Sequence, residues 1–382
     1  LMVPTLPVES NAEQSSKTET ELCEAGLYAP ECFRVGVRKN AFPFAAIRGD
    51  EDADTRAGHD LFEGFVFELC EFAFKALGWQ EGVDYILIEA DASTRLDGLK
   101  AETSPTTNSD RPEDQPKFHM VCDPTSMTVV RLGTYVFSPP VFISAGSYVS
   151  SNRALDKLYQ SGLKKLDARR KLGGSVSSYN GERFEYDASL DAIQRRQSPP
   201  QQTISECDTL DKKHIIGARL GYVKETTGRA LIEQAMAVNA GLGEDAELYV
   251  ANFQTICAQG FETHDEAFKA LCDEEITHHF GDRDIINAAA RKLDPSSECD
   301  AAPADEQYSR ELYAIAISPE LEIARILEVQ AAILQALGGY VTSANDQSSP
   351  VRVTHHLFGK YFGGSEQPQR MSVVLSNLFE LY

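Results

Sequence analysis

Cys122-Asp-Pro-Thr-Ser-Met-Thr-Val-Val-Arg131, followed by Phe137-Ser-Pro-Pro140, is the stretch on which the reading of this chain turns. The apolar, β-prone approach from Phe118 to Cys122 runs into a proline-bearing turn of small hydroxyl residues. A short helix then places Arg131 one turn beyond Thr128, a residue type that suits the N-cap position. Backbone N–H groups at such a turn lack intrahelical partners and face outward. With hydroxyl donors and a guanidinium beside them, they suit a planar anion such as a carboxylate, which arginine grips through two parallel hydrogen bonds. Taken alone, the segment fits an ordinary capped helix with a surface arginine equally well.

A second segment about a hundred residues later changes the balance. Ala218-Arg-Leu-Gly-Tyr-Val223 reads as a strand, and Lys224-Glu-Thr-Thr-Gly228 turns directly into a helical stretch from Arg229 to Ala240. Thr226 and Thr227 again offer hydroxyls and free amides at a helix start. Further on, residues 265–284 read as a helix, a short turn and a strand ending at Asp282. One region offers a carboxylate clamp; the other offers a second clamp and an acid suited to an ammonium group. Those are the two charged ends of a free amino acid.

With these residues on the page, the chain resembles the bacterial extracellular solute-binding proteins of the polar amino-acid family, which feed ABC importers. The likeness runs from about Phe33 to Tyr382. Phe33-Arg-Val-Gly-Val-Arg-Lys-Asn-Ala-Phe-Pro-Phe44 is similar to the family's first strand and its proline-phenylalanine turn. Gly64-Phe-Val-Phe-Glu-Leu-Cys70 with Ala76-Leu-Gly78 resembles the first helix, and Tyr308-Ser-Arg-Glu-Leu-Tyr-Ala-Ile-Ala316 the return strand. The resemblance implies a type II periplasmic-binding-protein fold: two α/β lobes, each a mostly parallel sheet flanked by helices, with a ligand cleft between them. Alternating strand and helix signals by themselves imply largely parallel sheets with helices on both faces.

The same resemblance assigns the site. Arg131 is expected to hold a ligand's α-carboxylate, helped by Thr125, Ser126 and Thr226 or Thr227. Asp282 is expected to take the α-ammonium group, with Asp284 as its nearby rival. Arg38, Arg95 and His264 stand where extra donors would suit a second carboxylate, so glutamate or aspartate is the favoured ligand and a general polar amino acid the nearest alternative. Arg95 and His264 also fit purely structural roles. The chain is read as a binding protein without catalytic residues, cofactor or metal. Its expected partners are the amino acid and ABC permease subunits, and it is expected to act as a monomer, peripheral to the membrane. The ligand-sensing module of a signalling system is an alternative reading. A cyclohexadienyl or arogenate dehydratase-like enzyme is a further one, which needs an unpaired cleft acid poised for proton transfer.

Composition limits the alternatives. The 382 residues are enough for two sizeable cores, and 42% hydrophobic with 25% charged residues describes a globular chain. A formal net charge of −22 argues against nucleic acid or an anionic membrane surface as the main partner. No apolar run approaches the ~18 residues that span a bilayer. The expected location is extracytoplasmic, with the export signal absent from this stretch of sequence. Among the eight cysteines, Cys23 and Cys32 are the preferred pair, closing a small loop. Cys70, on an apolar helix face, and Cys122, at a strand end, are expected to be packed core thiols. His278-His279 and His355-His356 are adjacent pairs whose members point to different sides, a poor arrangement for a metal.

The expected organisation is a mobile tail over residues 1–30, a first lobe over 31–147 with a disordered insertion at 101–116, and a second lobe over 148–306 with an insertion at 152–213. Residues 307–382 then return to the first lobe and end in helices. Within the second insertion, Leu155, Leu158, Leu163, Leu166 and Leu172 fall on one helical face beside Lys157, Lys164, Lys165, Arg169, Arg170 and Lys171. A solvated surface helix is the favoured reading of that basic stripe and a docking element the minor one.

Overall fold

A computed structural model describes Cys23 and residues 32–48, 58–101, 115–154, 205–207, 218–242, 257–292, 299–304, 307–343, 346–363 and 371–382. The tail, most of the insertion at 101–116 and nearly all of the insertion at 152–213, including its leucine and lysine stripe, lie outside the described residues.

The two-lobed α/β architecture expected from the sequence is the one observed. The first lobe is built on a six-stranded sheet. Strand β1 (Phe33–Arg38) lies between β5 (Tyr85–Ala90) and β6 (Met120–Ser126), parallel to both. The sheet then turns antiparallel through β15 (Glu311–Ile317), which pairs with β6, β7 (Val136–Phe137) and β8 (Phe142–Ser144). A three-stranded sheet of β2 (Asn40–Ala41), β3 (Ala45–Ile47) and β4 (Phe62–Glu63) leads into α1 (Phe65–Leu77). Helix α1 ends where Gly78 adopts the left-handed conformation, φ 73°, that glycine allows without a Cβ clash. Short helix α2 (Val129–Leu132) follows β6, with Thr128 Oγ1 accepting from the Arg131 amide as the sequence leads one to expect.

The second lobe carries the other six-stranded sheet. Strands β10 (Ser205–Glu206), β12 (Cys257–Phe261), β11 (Arg219–Val223) and β13 (His278–Asp282) run parallel in that order, and β9 (Gly146–Ser151) and β14 (Ala301–Pro303) close it antiparallel. Helices α3 (Gly228–Leu242), α4 (His264–Cys272) and α5 (Arg283–Lys292) follow β11, β12 and β13. The chain crosses between lobes at Ala145, where β8 becomes β9, and again between β14 and β15. After β15 come α6 (Ile323–Gly338), a hairpin of β16 (Tyr340–Ser343) and β17 (Asp346–Arg352), α7 (Val353–Phe362) and α8 (Val373–Glu380).

Apolar periodicity explains the packing. On α1 the buried set Phe65, Val66, Leu69, Cys70, Ala73 and Phe74 forms one face, and it joins a core with Val35, Val37, Ile315, Ile333 and Leu337. A smaller core in the second lobe gathers Tyr148, Leu220, Leu231, Ile232 and Phe280.

Cys23 pairs with Cys32 as expected. The expectation for Cys70 and Cys122 is corrected: both are fully buried, but they form a disulfide with 6.3 Å between Cα atoms. Helix α1 lies across β6, so the inward side chain of one meets the helix-facing side chain of the other. Cys207–Cys257 and Cys272–Cys299 complete four bridges, which account for all eight cysteines. No helix among the described residues is long and apolar enough to cross a membrane.

Candidate functional site between the lobes

The carboxyl ends of β1, β6, β11 and β13 converge with the start of β15, and polar side chains there are buried to an unusual degree. Arg38, at the end of β1, is 1% exposed; Asp123 and Thr125 on β6 are fully buried. Asp123 is the anchor of the first lobe's charges. The Arg95 Nε–H bonds its Oδ2, and Arg38 Nη1 stands 3.7 Å from its Oδ1. Arg95 also donates through Nη1 to the Ala92 carbonyl, so two edges of that guanidinium are engaged within its own lobe. Arg38 donates through Nε to Asn40 Oδ1 at 3.2 Å, while its Nη2 is buried without a partner among the described residues. Burial above all, with repulsion from Arg95, lowers the Arg38 pKa against the opposing pull of Asp123, Asp282 and Tyr313.

Arg131 reaches across the cleft. It donates through Nη1 to the Ser126 carbonyl at 3.2 Å and through Nη2 to the Glu225 carbonyl of the other lobe at 3.3 Å. Glu225 presents that carbonyl from a left-handed conformation, φ 55°, uncommon for a residue with a Cβ. Burial and then Arg95 lower the Arg131 pKa, and Asp123, Asp282 and Glu311 act against them.

From the second lobe, Asp282 closes β13 with only 7% exposure, and its Oδ1 has no hydrogen-bond partner among the described residues. Burial, followed by the Glu311 carboxylate, pushes its carboxyl up to about 8, against Tyr313 and Arg38. Asp284 is occupied elsewhere, accepting from Ser144 Oγ at 2.7 Å beside the crossover. His264, behind the Thr263 N-cap of α4, is 3% exposed. Its Nδ1 faces His279 Nε2 at 3.0 Å and its Nε2 has no partner among the described residues. Burial, then His279, Arg38 and Arg95, hold its pKa well below the usual imidazole range. His264 also lines a cavity of about 560 Å³ with Lys39, Asn40 and Phe42 of the first lobe and Phe268 and Ile285 of the second.

Thus Arg38, Arg131, Asp282 and His264 lie in one electrostatic neighbourhood, with Thr125 Oγ1 buried and unpartnered beside Ser126. Thr226 and Thr227 part company. Thr226 Oγ1 donates to the Val223 carbonyl at 2.6 Å and accepts from the Gly228 amide, closing its own turn. Thr227 Oγ1 donates across the cleft to Glu311 Oε2 at 3.1 Å. Three participants were not read from the sequence: Asp123, Glu311 and Tyr313. Asp123 carried a signal, being an acid set directly after a run of strand formers, where a charge needs a partner.

No family model matches the chain, and no curated protein matches it. Solved structures do. An ancestral arginine-binding protein bound to glutamine is 16% identical over 87% of this chain and 99% of its own, with a TM-score of 0.49. A mutant ArgBP from T. maritima is 15% identical over 91% and 100%, with a TM-score of 0.49. An ancestral amino acid-binding protein described as a precursor of cyclohexadienyl dehydratase is 13% identical over 90% and 99%, with a TM-score of 0.48.

Proposed function

We propose that this chain is an extracytoplasmic receptor of the polar amino-acid solute-binding family, which closes on a free L-amino acid and delivers it to an ABC-type permease. The observation that carries the reading is the set of buried polar atoms with unmet hydrogen-bonding capacity, drawn from both lobes. Arg38 Nη2 and Thr125 Oγ1 come from the first, Asp282 Oδ1 and His264 Nε2 from the second. Buried polar atoms are costly unless paired, so such a convergence suits a small polar ligand. Arg131 supplies the cation for an α-carboxylate and Asp282 the acid for an α-ammonium group. Four disulfides fit an oxidising compartment.

Glutamate or aspartate remains the favoured ligand. Asp123 neutralises one of the two charges on Arg38 and Arg95, leaving a single positive charge and a free Arg38 N–H for a second carboxylate. A thermal-shift screen of the twenty amino acids tests this. A ligand at ~100 times its dissociation constant stabilises the native state by about 2.7 kcal/mol. Glutamate or aspartate should respond most strongly, Arg131→Ala should erase every response, and Arg38→Ala should lose the acidic ligands selectively. A glutamine response that falls in Arg38→Ala while glutamate persists would assign the ligand to the neutral polar class.

One observation favours a second reading. A cleft acid held near pH 8 with a free oxygen, as Asp282 is, has the makings of a proton donor. Formation of product from prephenate or arogenate would move the chain to the dehydratase-like class.

A further inference from the structure

Glu311 opens β15 at the mouth of the first lobe and is 7% exposed. Its Oε2 accepts from Ser126 Oγ of the first lobe and from Thr227 Oγ1 of the second, at 3.1 Å for the latter. Its Oε1 accepts from Ser309 Oγ at 3.2 Å. Arg131 lies within its electrostatic reach. Ser126 and Thr227 are among the hydroxyls (Thr125, Ser126 and Thr226 or Thr227) that the resemblance assigns to a ligand's α-carboxylate, and they come one from each jaw of the cleft. In the structure both donate to a carboxylate that belongs to the protein. The strand registers fix it there: Glu311 pairs with Ser144, and Asp282 with Gly146, on either side of the single crossover residue Ala145. A longer or shorter approach to β15 would carry the carboxylate away from both hydroxyls.

We infer that Glu311 is a resident occupant of the carboxylate subsite, and that an incoming ligand carboxylate must displace it from Ser126 and Thr227 to bind. The inference rests on the amino-acid reading for the identity of the competitor, but not for the subsite itself. Three hydroxyl donors, drawn from β6, the turn before α3 and the segment before β15, converge on one carboxylate, which is the recognition pattern for any small carboxylate. An intramolecular carboxylate is present at high effective concentration, so it sets a threshold that only a ligand making further contacts, to Asp282 and Arg131, overcomes. Glu311 would thereby exclude simple carboxylates that lack an ammonium group.

Two variants of the full chain test this by thermal shift and calorimetry, with acetate and L-glutamate as probes. Removing the carboxylate in Glu311→Ala should create a saturable acetate response that the wild type lacks and that a further Thr227→Val change abolishes. The near-isosteric Glu311→Gln keeps the shape of the side chain and weakens its hold on the hydroxyls. It should bind L-glutamate about tenfold more tightly than the wild type, the scale of one hydrogen bond to a charged group. Where the wild type binds L-glutamate, equal or weaker binding by Glu311→Gln would overturn the displacement, as would a folded Glu311→Ala that ignores acetate. Should Glu311→Ala fail to fold, the Glu311→Gln comparison decides alone. Acetate rescue without amino-acid binding by any form would remove the receptor reading and leave the Glu311 subsite standing.

Discussion

Asp123 holds two guanidiniums at once, which makes the costs of removing its partners unequal. Asp123→Asn leaves Arg38 and Arg95 buried with one counter-ion fewer, and breaking a buried pair in that way costs about 3–5 kcal/mol. Arg95→Met leaves Asp123 with Arg38 still beside it, so it should cost clearly less. Urea unfolding of the two variants measures the difference; equal losses would show that Asp123 and Arg38 do not compensate each other. At this scale the sequence was only partly legible. Arg131 and Asp282 stand out because their residue types sit at a helix start and a strand end with obvious chemistry. Asp123 shows only as an acid after a run of strand formers and Glu311 not at all, because their partners Arg95 and Ser126 lie 28 and 185 residues away, where no local pattern identifies them. Arg95 and Thr226 have the expected residue types, yet the structure spends their hydrogen bonds on Asp123 and Ala92 and on their own turn.

At the scale of elements, hydrophobic spacing and turn chemistry made several strands and helices readable. The strand before Lys224 appears where hydrophobic spacing and turn chemistry put it, and the helix ahead of Gly78 where the family resemblance placed it. Periodicity did not say which apolar residues face inward. In α6, Ile326, Ile333 and Leu337 are buried with Val329, whereas Ile323, Leu327 and Leu334 lie on the exposed side. Nor did it show that α1 crosses β6 closely enough to join Cys70 to Cys122. That bridge ties the first helix to the strand leading into the Arg131 turn, so a Cys70→Ala/Cys122→Ala double variant should lose about 2–4 kcal/mol of stability. The loss is measurable by denaturant unfolding. Alkylation of the unreduced, unfolded wild-type chain should label no cysteine, and two labelled cysteines would contradict the bridge.

For the whole molecule, buried ionisable groups of opposite kind give stability a maximum in pH. His119 is held near 3, and His278 and His279 near 4, in each case mainly because burial disfavours the charged ring. Their unfolded values lie near 6.5, so below that pH the unfolded chain binds more protons and stability falls as pH drops from about 6.5 to about 4. Asp282 runs the other way. Its folded value of about 8 exceeds its unfolded value near 3.9, so its contribution is full below pH 4 and is lost as pH rises to about 8. Glu71, also raised by burial, adds to that trend. Between pH 4 and 6.5 these three histidines, joined by His264, which burial likewise holds well below the usual imidazole range, outnumber Asp282 and Glu71 and stability rises with pH; above 6.5 Asp282 acts with little opposition and stability declines. Melting temperature followed from pH 4 to 9 should therefore peak near pH 6–7. Asp282→Asn should flatten the alkaline limb and steepen the acid limb, because the amide has no proton to lose and no longer opposes the histidines below pH 6.5. An amino-acid ligand should do the same by another route, since its ammonium group stabilises the ionised carboxyl that burial penalises. Its binding to the wild type should tighten from pH 6 to 8 and release a proton, read by calorimetry in buffers of different ionisation enthalpy. A pH-independent affinity over that range would place the ammonium group away from Asp282.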